Sequence, residues 1–439
     1  MEGGFLMSLK KFLSTMIGVV LVFVLVFGIY SLNITVSKAG SKKVKITLMS
    51  TKGEINSQLE DVAKSFSKTY PNVNLEIIPV GAGQSPFEKL STMYASGNAP
   101  TISMIDSSDV AKFKSYFLNL TKEKWVKDAI NGTLDDITFN GQVMGFPFAI
   151  EGYGLIYNKQ VIEKTIGKFN ASTIKTRNDL ENLFKKLQQK KVTPILISPL
   201  DWSLGAHYLG IAYGAQSKDM QKNYEFIKKL KTGKVNLQTN KVFNGLLDTF
   251  DMLRKYNYLK NSPLAGTYEQ GPQLLANGKV AFWFMGNWAW PQIKDANPQN
   301  SEYGFLPVPI SNDPNDFYNK AIVAGPSKIL CIDAKNNSKA QQLAAKQFLN
   351  WLVYNSDGQK AWVYTLSIIP PFKNINLTPN DPLAKSIISY LKEGRTFRTP
   401  ILPSDHWPKV GASMQKYLAG IIKRSQLYTE IKNYWLTVK

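Results

Sequence analysis

Three tryptophans lie within eight residues of one another, at Trp283, Trp288 and Trp290. The apolar run at 280–285 predicts a short buried strand that Gly286-Asn287 ends, so Trp288 falls where a helix would begin. An indole just beyond a strand end is well placed to line a cleft, where its flat face suits the C–H face of a sugar ring. The same indoles could instead fill an interface, and this segment alone favours neither interpretation.

Two carboxylates have sequence contexts that suggest a binding role. Glu151 is an acid within the otherwise apolar and aromatic segment 146–157. A buried carboxylate without partners is costly, so Glu151 must face a cleft or form an ion pair that braces the structure. Asp201 and Trp202 follow a predicted strand at 194–197, where Asp201 could also cap the next helix.

Polar residues also follow the first predicted strands. Lys52 comes after the strand at 44–49, and Asp106 and Ser107 come after the strand at 101–105. Open α/β sheets bind ligands at the carboxyl ends of parallel strands, so these three residues are candidates for the rim of a cleft. Glu54, two residues after Lys52, is a further candidate, and both Lys52 and Glu54 could equally be solvated loop residues.

The chain offers few groups for other chemistry. Of its two histidines, His207 lies in an apolar predicted helix and is interpreted as structural, whereas His406 adjoins Trp407 and is a candidate to line the cleft. The sequence has no nucleophile elbow, zinc-protease helix or phosphate loop, so we expect no metal and no cofactor. A glycosidase needs only two carboxylates, and Glu151 with Asp201 could supply them, so that enzyme class stays open.

Strands and helices alternate along the chain after residue 42. This order predicts an α/β fold with mostly parallel sheets flanked by helices. The predicted strands are 44–49, 73–78, 101–105, 194–197 and 280–285. The clearest predicted helices are 55–70, 87–95, 108–118, 177–189, 203–214, 242–256, 268–277 and 338–354.

Three segments carry a resemblance to a known family. Residues 278–288 run Gly-Lys-Val-Ala-Phe-Trp-Phe-Met-Gly-Asn-Trp, residues 145–159 lead from Gly-Phe-Pro to Tyr-Asn-Lys, and residues 94–100 contain Ala-Ser-Gly-Asn-Ala-Pro. In this order they resemble the extracellular solute-binding proteins of bacterial ABC importers, in the carbohydrate-binding group that includes maltose-binding protein. Thr101 departs from the pattern, because the family usually has aspartate there.

The resemblance implies a periplasmic-binding-protein-like fold of two hinged lobes with a ligand cleft between them. The first lobe would comprise 41–149 plus 305–366, and the second 150–304 plus 367–439. The chain would cross between the lobes near Ile150, Tyr303-Gly304 and 368–370.

The resemblance also implies a function and site residues. Glu151 matches a glutamate that contacts sugar in similar proteins, the Asp201-Trp202 loop matches one that supplies a polar and an aromatic contact, and Trp288 and Trp407 match aromatic platforms. The expected protein is a monomer that captures a sugar or oligosaccharide and delivers it to a membrane permease. A glycan-acting enzyme at the cell surface, or a binding protein for a peptide, polyamine or anion, is the alternative.

The first 39 residues predict export. Lys10 and Lys11 precede an apolar run at 16–30, and 37–39 form a small-x-small cleavage site. An uncleaved anchor over 12–34 is the alternative. The single cysteine, Cys331, provides neither a lipid attachment site near this leader nor an intrachain disulfide.

The formal net charge of the chain is +21. Such a charge can indicate nucleic-acid binding, but the lysines are dispersed over predicted helix faces and no aromatic-basic motif accompanies them. We therefore expect a loose attraction to an anionic envelope surface and no nucleic-acid partner.

Overall fold

The computed structural model describes residues 43–80 and 85–438. The predicted leader at 1–39 lies outside these residues. Within them, no helix combines the length and the apolar character needed to cross a bilayer.

The described strands form one large mixed sheet and a small hairpin. Along the sheet the order is β2-β1-β3-β10-β6-β8-β7, with β11 beside β10 and β9 beside β6, while β4 pairs with β5. The strands are β1 Val44–Ser50, β2 Val73–Pro79, β3 Ile102–Asp106, β4 Thr138–Phe139, β5 Gln142–Val143, β6 Phe146–Asn158, β7 Thr193–Leu196, β8 Val280–Gly286, β9 Tyr303–Leu306, β10 Ile322–Ile332 and β11 Thr396–Phe397.

Parallel pairing occurs where the sequence alternates between strands and helices. Strand β1 pairs parallel with β2 and β3, and β7 pairs parallel with β8. The long strands β6 and β10 pair antiparallel with each other and with their other large neighbours, β8 and β3. These two strands run through both halves of the molecule in opposite directions, which makes the whole sheet mixed.

Most helices begin and end within a few residues of the predicted limits. The helices are α1 Asn56–Thr69, α2 Pro86–Ala95, α3 Ser107–Phe113, α4 Lys159–Ile166, α5 Arg177–Gln189, α6 Leu209–Gly214, α7 Met220–Lys231, α8 Lys241–Tyr256, α9 Gln270–Ala276, α10 Trp290–Ala296, α11 Lys339–Tyr354, α12 Ser356–Lys360, α13 Pro382–Lys392, α14 His406–Leu418 and α15 Arg424–Thr437. The predicted helix 203–214 is divided, because Ser203–Tyr208 is a π-helix that precedes α6.

Buried side chains form separate cores that correspond to two lobes. One core packs Leu48 and Phe66 against Trp351, and another packs Phe250 against Trp435 in the second half of the fold. Along β6, Ala149 belongs to the first-lobe core and the next residue, Ile150, belongs to a second-lobe core. This change occurs at the first predicted crossing.

The residues around the other two predicted crossings also divide between the cores. Leu306 and Val308 pack in the second-lobe core, because β9 pairs with the second-lobe end of β6. Along β10, Ile322 and Ala324 pack in a second-lobe core, whereas Leu330 and Ile332 pack in the first-lobe core. Near the last predicted crossing, Ile368 packs in the first-lobe core and the next residue, Ile369, packs in a second-lobe core. The lobe limits stay a prediction.

The two lobes contact each other through several segments. The single turn Gly53–Ile55 of the first lobe contacts α10 of the second. Elsewhere Arg398, which follows β11, forms an ion pair with Asp136 and donates to the Gly132 carbonyl at 3.0 Å.

Candidate functional site

Trp288 lies immediately after β8, in the single turn Asn287–Ala289. Its ring lies against Gly286, where a side chain would collide with the indole, so this strand end requires glycine. The ring centroid of Trp288 is 5.0 Å from that of His207 and 6.3 Å from that of Trp202. Trp288, a candidate site residue from the sequence analysis, therefore belongs to a cluster of aromatic rings.

Two tyrosines complete this cluster. The Tyr153 ring lies 4.5 Å from His207, and the Tyr268 ring lies 6.1 Å from Trp202. All five rings are half-buried, unlike the core tryptophan Trp283, which is fully buried. We call this cluster the aromatic group, and it consists of Tyr153, Trp202, His207, Tyr268 and Trp288.

A buried ion cluster lies on the other side of the site. The Lys52 ammonium is 2.5 Å from Glu54 and 2.6 Å from Glu151, and the Lys52 side chain is only 3% exposed. Burial alone would lower the pKa of Lys52, but the two carboxylates outweigh burial and raise it. Burial would likewise raise the pKa of Glu151, but Lys52 and Lys328 lower it to about 2.

A second ion pair joins β3 to β10. The Lys328 ammonium is 2.5 Å from Asp106, and the two residues are register partners across the strands. The pairing of β10 with β6 shifts register on either side of Lys328, and such bulges often redirect a side chain beside a functional site. We call these residues the charged group: Lys52, Glu54, Asp106, Glu151 and Lys328.

The aromatic and charged groups face the same space. Burial lowers the pKa of His207 to about 4, while Glu151 and Asp106 partly oppose that change and Lys328 adds to it. Burial, Glu54 and Glu151 all raise the pKa of Tyr268. Glu54 and Asp106 of the first lobe therefore lie near rings of the second lobe.

Asp109 lies beside this site in α3. Burial and neighbouring Asp106 raise the pKa of Asp109 to about 6, and the Ser404 hydroxyl of the second lobe opposes that shift. One carboxylate oxygen of Asp109 is buried without a hydrogen-bond partner among the described residues. The contact with Ser404 brings a second part of the first lobe against the second lobe.

The structure brings several predicted site residues together. Lys52, Asp106, Glu151, Trp202 and Trp288 all belong to the two groups. Asp201 lies next to Trp202, and its carboxylate accepts a 2.8 Å hydrogen bond from the Trp202 backbone amide. Ser107 begins α3 directly after Asp106.

Trp407 lies near the site without joining the aromatic group. It is half-buried at the start of α14, and its backbone carbonyl packs against Gly205 of the π-helix. In the described part of the chain its ring makes no close ring pair with the aromatic group, so its role as a platform stays a prediction.

The prediction for His406 is wrong. Its side chain has no exposed surface, its Nε2 lies 3.0 Å from the Tyr213 hydroxyl, and its ring packs against Trp435. Burial lowers the pKa of His406 to about 3. It is a core residue of the second lobe, since the first turn of α14 directs it inward.

Four residues of the two groups were not predicted as site residues: Tyr153, His207, Tyr268 and Lys328. His207 was interpreted as structural because its neighbours are apolar, but the π-helix places its ring in the aromatic group. Lys328 follows Gly325-Pro326-Ser327, and a glycine and a proline inside an apolar strand are signals of a bulge that could have identified it.

A separate cavity of about 500 Å³ also lies between the lobes. It is lined by Ile130, Gly132, Phe317, Pro326 and Arg398, among others, and by no member of the aromatic group. The aromatic group is the candidate site instead, because its half-buried rings lie near polar side chains of the charged group.

Solved structures with the same architecture support the two-lobe description. The raffinose complex of the solute-binding protein RafE aligns with a TM-score of 0.74 and 18% identity, covering 90% of this chain and 99% of that one. A chitin oligosaccharide binding protein aligns with a TM-score of 0.71 and 21% identity, covering 89% and 98%.

Sequence comparisons identify the family. An uncharacterized ABC transporter extracellular-binding protein of Pyrococcus horikoshii is 24% identical over 368 residues, which cover 81% of this chain and 76% of that protein. The sequence profile of the family described as bacterial extracellular solute-binding protein matches residues 61–386. The chain therefore belongs to the bacterial extracellular solute-binding proteins.

Proposed function

We propose that this protein captures a sugar or oligosaccharide outside the cytoplasmic membrane and delivers it to the permease of an ABC importer. The observation that carries this proposal is the aromatic group of the second lobe, which faces hydrogen-bonding side chains of the first lobe. The raffinose and chitin oligosaccharide proteins of similar fold support the same class of ligand.

The two groups have complementary tasks in this proposal. The faces of Trp202 and Trp288 stack on the apolar faces of sugar rings. The Asp106 side chain is 44% exposed, so its carboxylate can accept hydrogen bonds from sugar hydroxyls. A ligand that contacts both lobes stabilises the closed arrangement, because only that arrangement makes both sets of contacts.

The state of Glu151 argues against its acting as the general acid of a glycosidase. A general acid in a glycosidase needs a raised pKa, so that it is protonated at neutral pH. Paired with Lys52, Glu151 has instead a pKa of about 2 and stays ionised. Its suggested catalytic partner, Asp201, accepts a hydrogen bond from the backbone amide of Trp202.

The proposed place of action rests on the family and on the first 39 residues. The family is extracellular, and Lys10, Lys11 and the apolar run that follows are suited to export. In our proposal the leader directs the chain across the membrane, where the closed protein docks on the permease.

A panel of sugars tests this function. The melting temperature of the purified protein is measured with raffinose, maltotriose, xylotriose, chitotriose and shorter sugars, and each sample is then analysed for hydrolysis products. We expect saturable stabilisation by at least one sugar and no turnover. For that sugar, Trp288→Phe should weaken binding about tenfold, which corresponds to ~1.4 kcal/mol, because a smaller ring loses stacking area.

Trp290→Phe is the matched control, because Trp290 lies two residues further on but is buried against Tyr303. It should reduce stability and leave sugar affinity unchanged. Equal loss of affinity in both variants, or stabilisation only by peptides, polyamines or anions, would contradict the proposal.

A further inference from the structure

His207 differs from the other histidine of the chain in its surroundings. Its half-buried ring lies between Tyr153 and Trp288, at 4.5 Å and 5.0 Å, and close to the Trp202 ring at 5.4 Å. No hydrogen bond to either ring nitrogen of His207 is found among the described residues, whereas the enclosed His406 ring is bonded to Tyr213. The imidazole therefore has polar atoms available at a surface lined by aromatic rings.

The charges around His207 are already paired within the protein. Lys52 contacts two carboxylates, and Lys328 contacts the carboxylate of Asp106. The charged group thus contains three carboxylates, Glu54, Asp106 and Glu151, and two ammonium groups, Lys52 and Lys328. It offers an incoming anion no unpaired cation, and its sum of formal charges is negative although the whole chain is strongly positive.

We propose that His207 is a ligand-binding residue that determines specificity, and that this site selects an uncharged saccharide over an acidic one. The inference rests on the proposed function and narrows its substrate class. It assigns a binding role to a side chain whose sequence context indicated only a core position.

Hydrogen bonding explains the selection. A neutral imidazole has one donor and one acceptor nitrogen, and a sugar hydroxyl can bond to either of them. A carboxylate on the sugar would lie near the charged group, whose net negative charge disfavours it, and it would lose its hydration without gaining an unpaired cation. Neutral and acidic sugars can both stack on the aromatic group. The carboxylate charge of the acidic sugar therefore determines the difference in affinity.

Imidazole NMR tests the assignment directly, because the chain contains only two histidines. The neutral sugar that stabilises the protein in the melting panel is titrated into the full chain while both imidazole C–H signals are recorded. We expect the His207 signals to shift with the saturation curve of the sugar and the His406 signals to remain in place. Unchanged His207 signals, or equal shifts of both histidines, would overturn the binding role.

Calorimetry with a matched ligand tests the selection. The same sugar, oxidised at a primary hydroxyl to a carboxylate, should bind at least about tenfold more weakly at pH 7. His207→Phe keeps a ring but removes both nitrogens, and it should weaken binding of the neutral sugar about tenfold, which is the loss expected for one hydrogen bond left unmade. His207→Gln restores a donor and an acceptor and should recover part of that loss.

The outcomes separate this inference from the proposed function. The inference fails if the acid form of the sugar binds as tightly as the neutral sugar. It also fails if the His207→Phe variant binds the neutral sugar as tightly as the wild-type protein does. In both cases the proposed function, capture of a sugar, is still supported. If no sugar in the panel stabilises the protein, the proposed function fails and this inference fails with it.

Discussion

Lys52 is held by two carboxylates in a part of the site from which water is almost excluded. Glu151→Gln removes one of them and leaves the buried ammonium with Glu54 alone. We expect the free energy of unfolding to fall by about 3 kcal/mol, because breaking a buried ion pair leaves an uncompensated charge. Denaturant unfolding at pH 7 measures the change.

The matched control is Glu76→Gln, which removes the partner of exposed Lys45. A surface pair contributes about 0–1 kcal/mol, so this variant should unfold almost as wild type does. If both variants lose the same stability, the buried cluster does not stabilise the fold as described.

The pH dependence of the same pair follows from the lowered pKa of Glu151. Folding lowers this pKa from 4.5 to about 2, so the folded state favours the ionised carboxylate. The stability that Glu151 contributes is present above pH 4.5 and is lost as the pH falls through about 2. The difference in unfolding free energy between wild type and Glu151→Gln should therefore narrow below pH 4.5, and a constant difference from pH 7 to pH 2.5 would contradict the ionised pair.

Residues of the site could be predicted where their own local sequence carries the signal. Trp288 follows a strand and a Gly-Asn turn, and Glu151 interrupts an apolar segment, so both were identified from the sequence. His207 and Lys328 were missed because a π-helix and a β-bulge redirect them, and such irregularities depend on tertiary contacts more than on hydrophobic periodicity. His406 was wrongly predicted to line the cleft because Trp407, its neighbour in sequence, is half-buried, whereas His406 lies in the core.

At the scale of elements, the π-helix Ser203–Tyr208 is packed against α14 through two glycines. A side chain at Gly205 would lie 2.7 Å from the Gly411 amide nitrogen and 2.7 Å from the Trp407 carbonyl oxygen. Both are backbone atoms, so Gly205→Ala must separate the two helices. We expect a loss of about 1–3 kcal/mol in stability, together with weaker sugar binding because His207 moves.

Gly53→Ala is the matched control for this substitution. A side chain at Gly53 would meet no atom within 4 Å, and this glycine does not have a left-handed backbone. Thermal unfolding should leave Gly53→Ala close to wild type. An unchanged melting temperature for Gly205→Ala would show that the close helix contact is not required.

Element type was largely predictable, because long amphipathic helices and short apolar strands show clear periods. The predicted helix 177–189 coincides with α5, and the predicted strand 44–49 is one residue shorter than β1. Crossing positions were less predictable. The sequence of a strand such as β10 is largely one apolar run. Only the side chains that pack against it in the structure show that it passes from one core to another.

At the scale of the whole molecule, Arg398 connects the lobes away from the aromatic group. Its guanidinium contacts Asp136 and the Gly132 carbonyl, and both side chains of the ion pair are less than one third exposed. A double-mutant cycle with Arg398→Ala and Asp136→Ala should give a coupling free energy of about 1 kcal/mol. Without this link the lobes should separate more readily, so small-angle scattering of ligand-free Arg398→Ala should show a larger radius of gyration.

Lys64→Ala is the control for this cycle, because it removes an exposed ion pair between Lys64 and Asp61 within α1. It should change neither the scattering curve nor the stability appreciably. A coupling free energy near zero between Arg398 and Asp136 would mean that this contact does not hold the lobes together.

A crystal structure of the protein with a stabilising sugar bound would test the central claim most directly. The account predicts a sugar ring stacked on Trp288 or Trp202, with its hydroxyls within hydrogen-bonding distance of His207 and the charged group. A sugar seated in the cavity beside Arg398, with the aromatic group free of ligand, would contradict it.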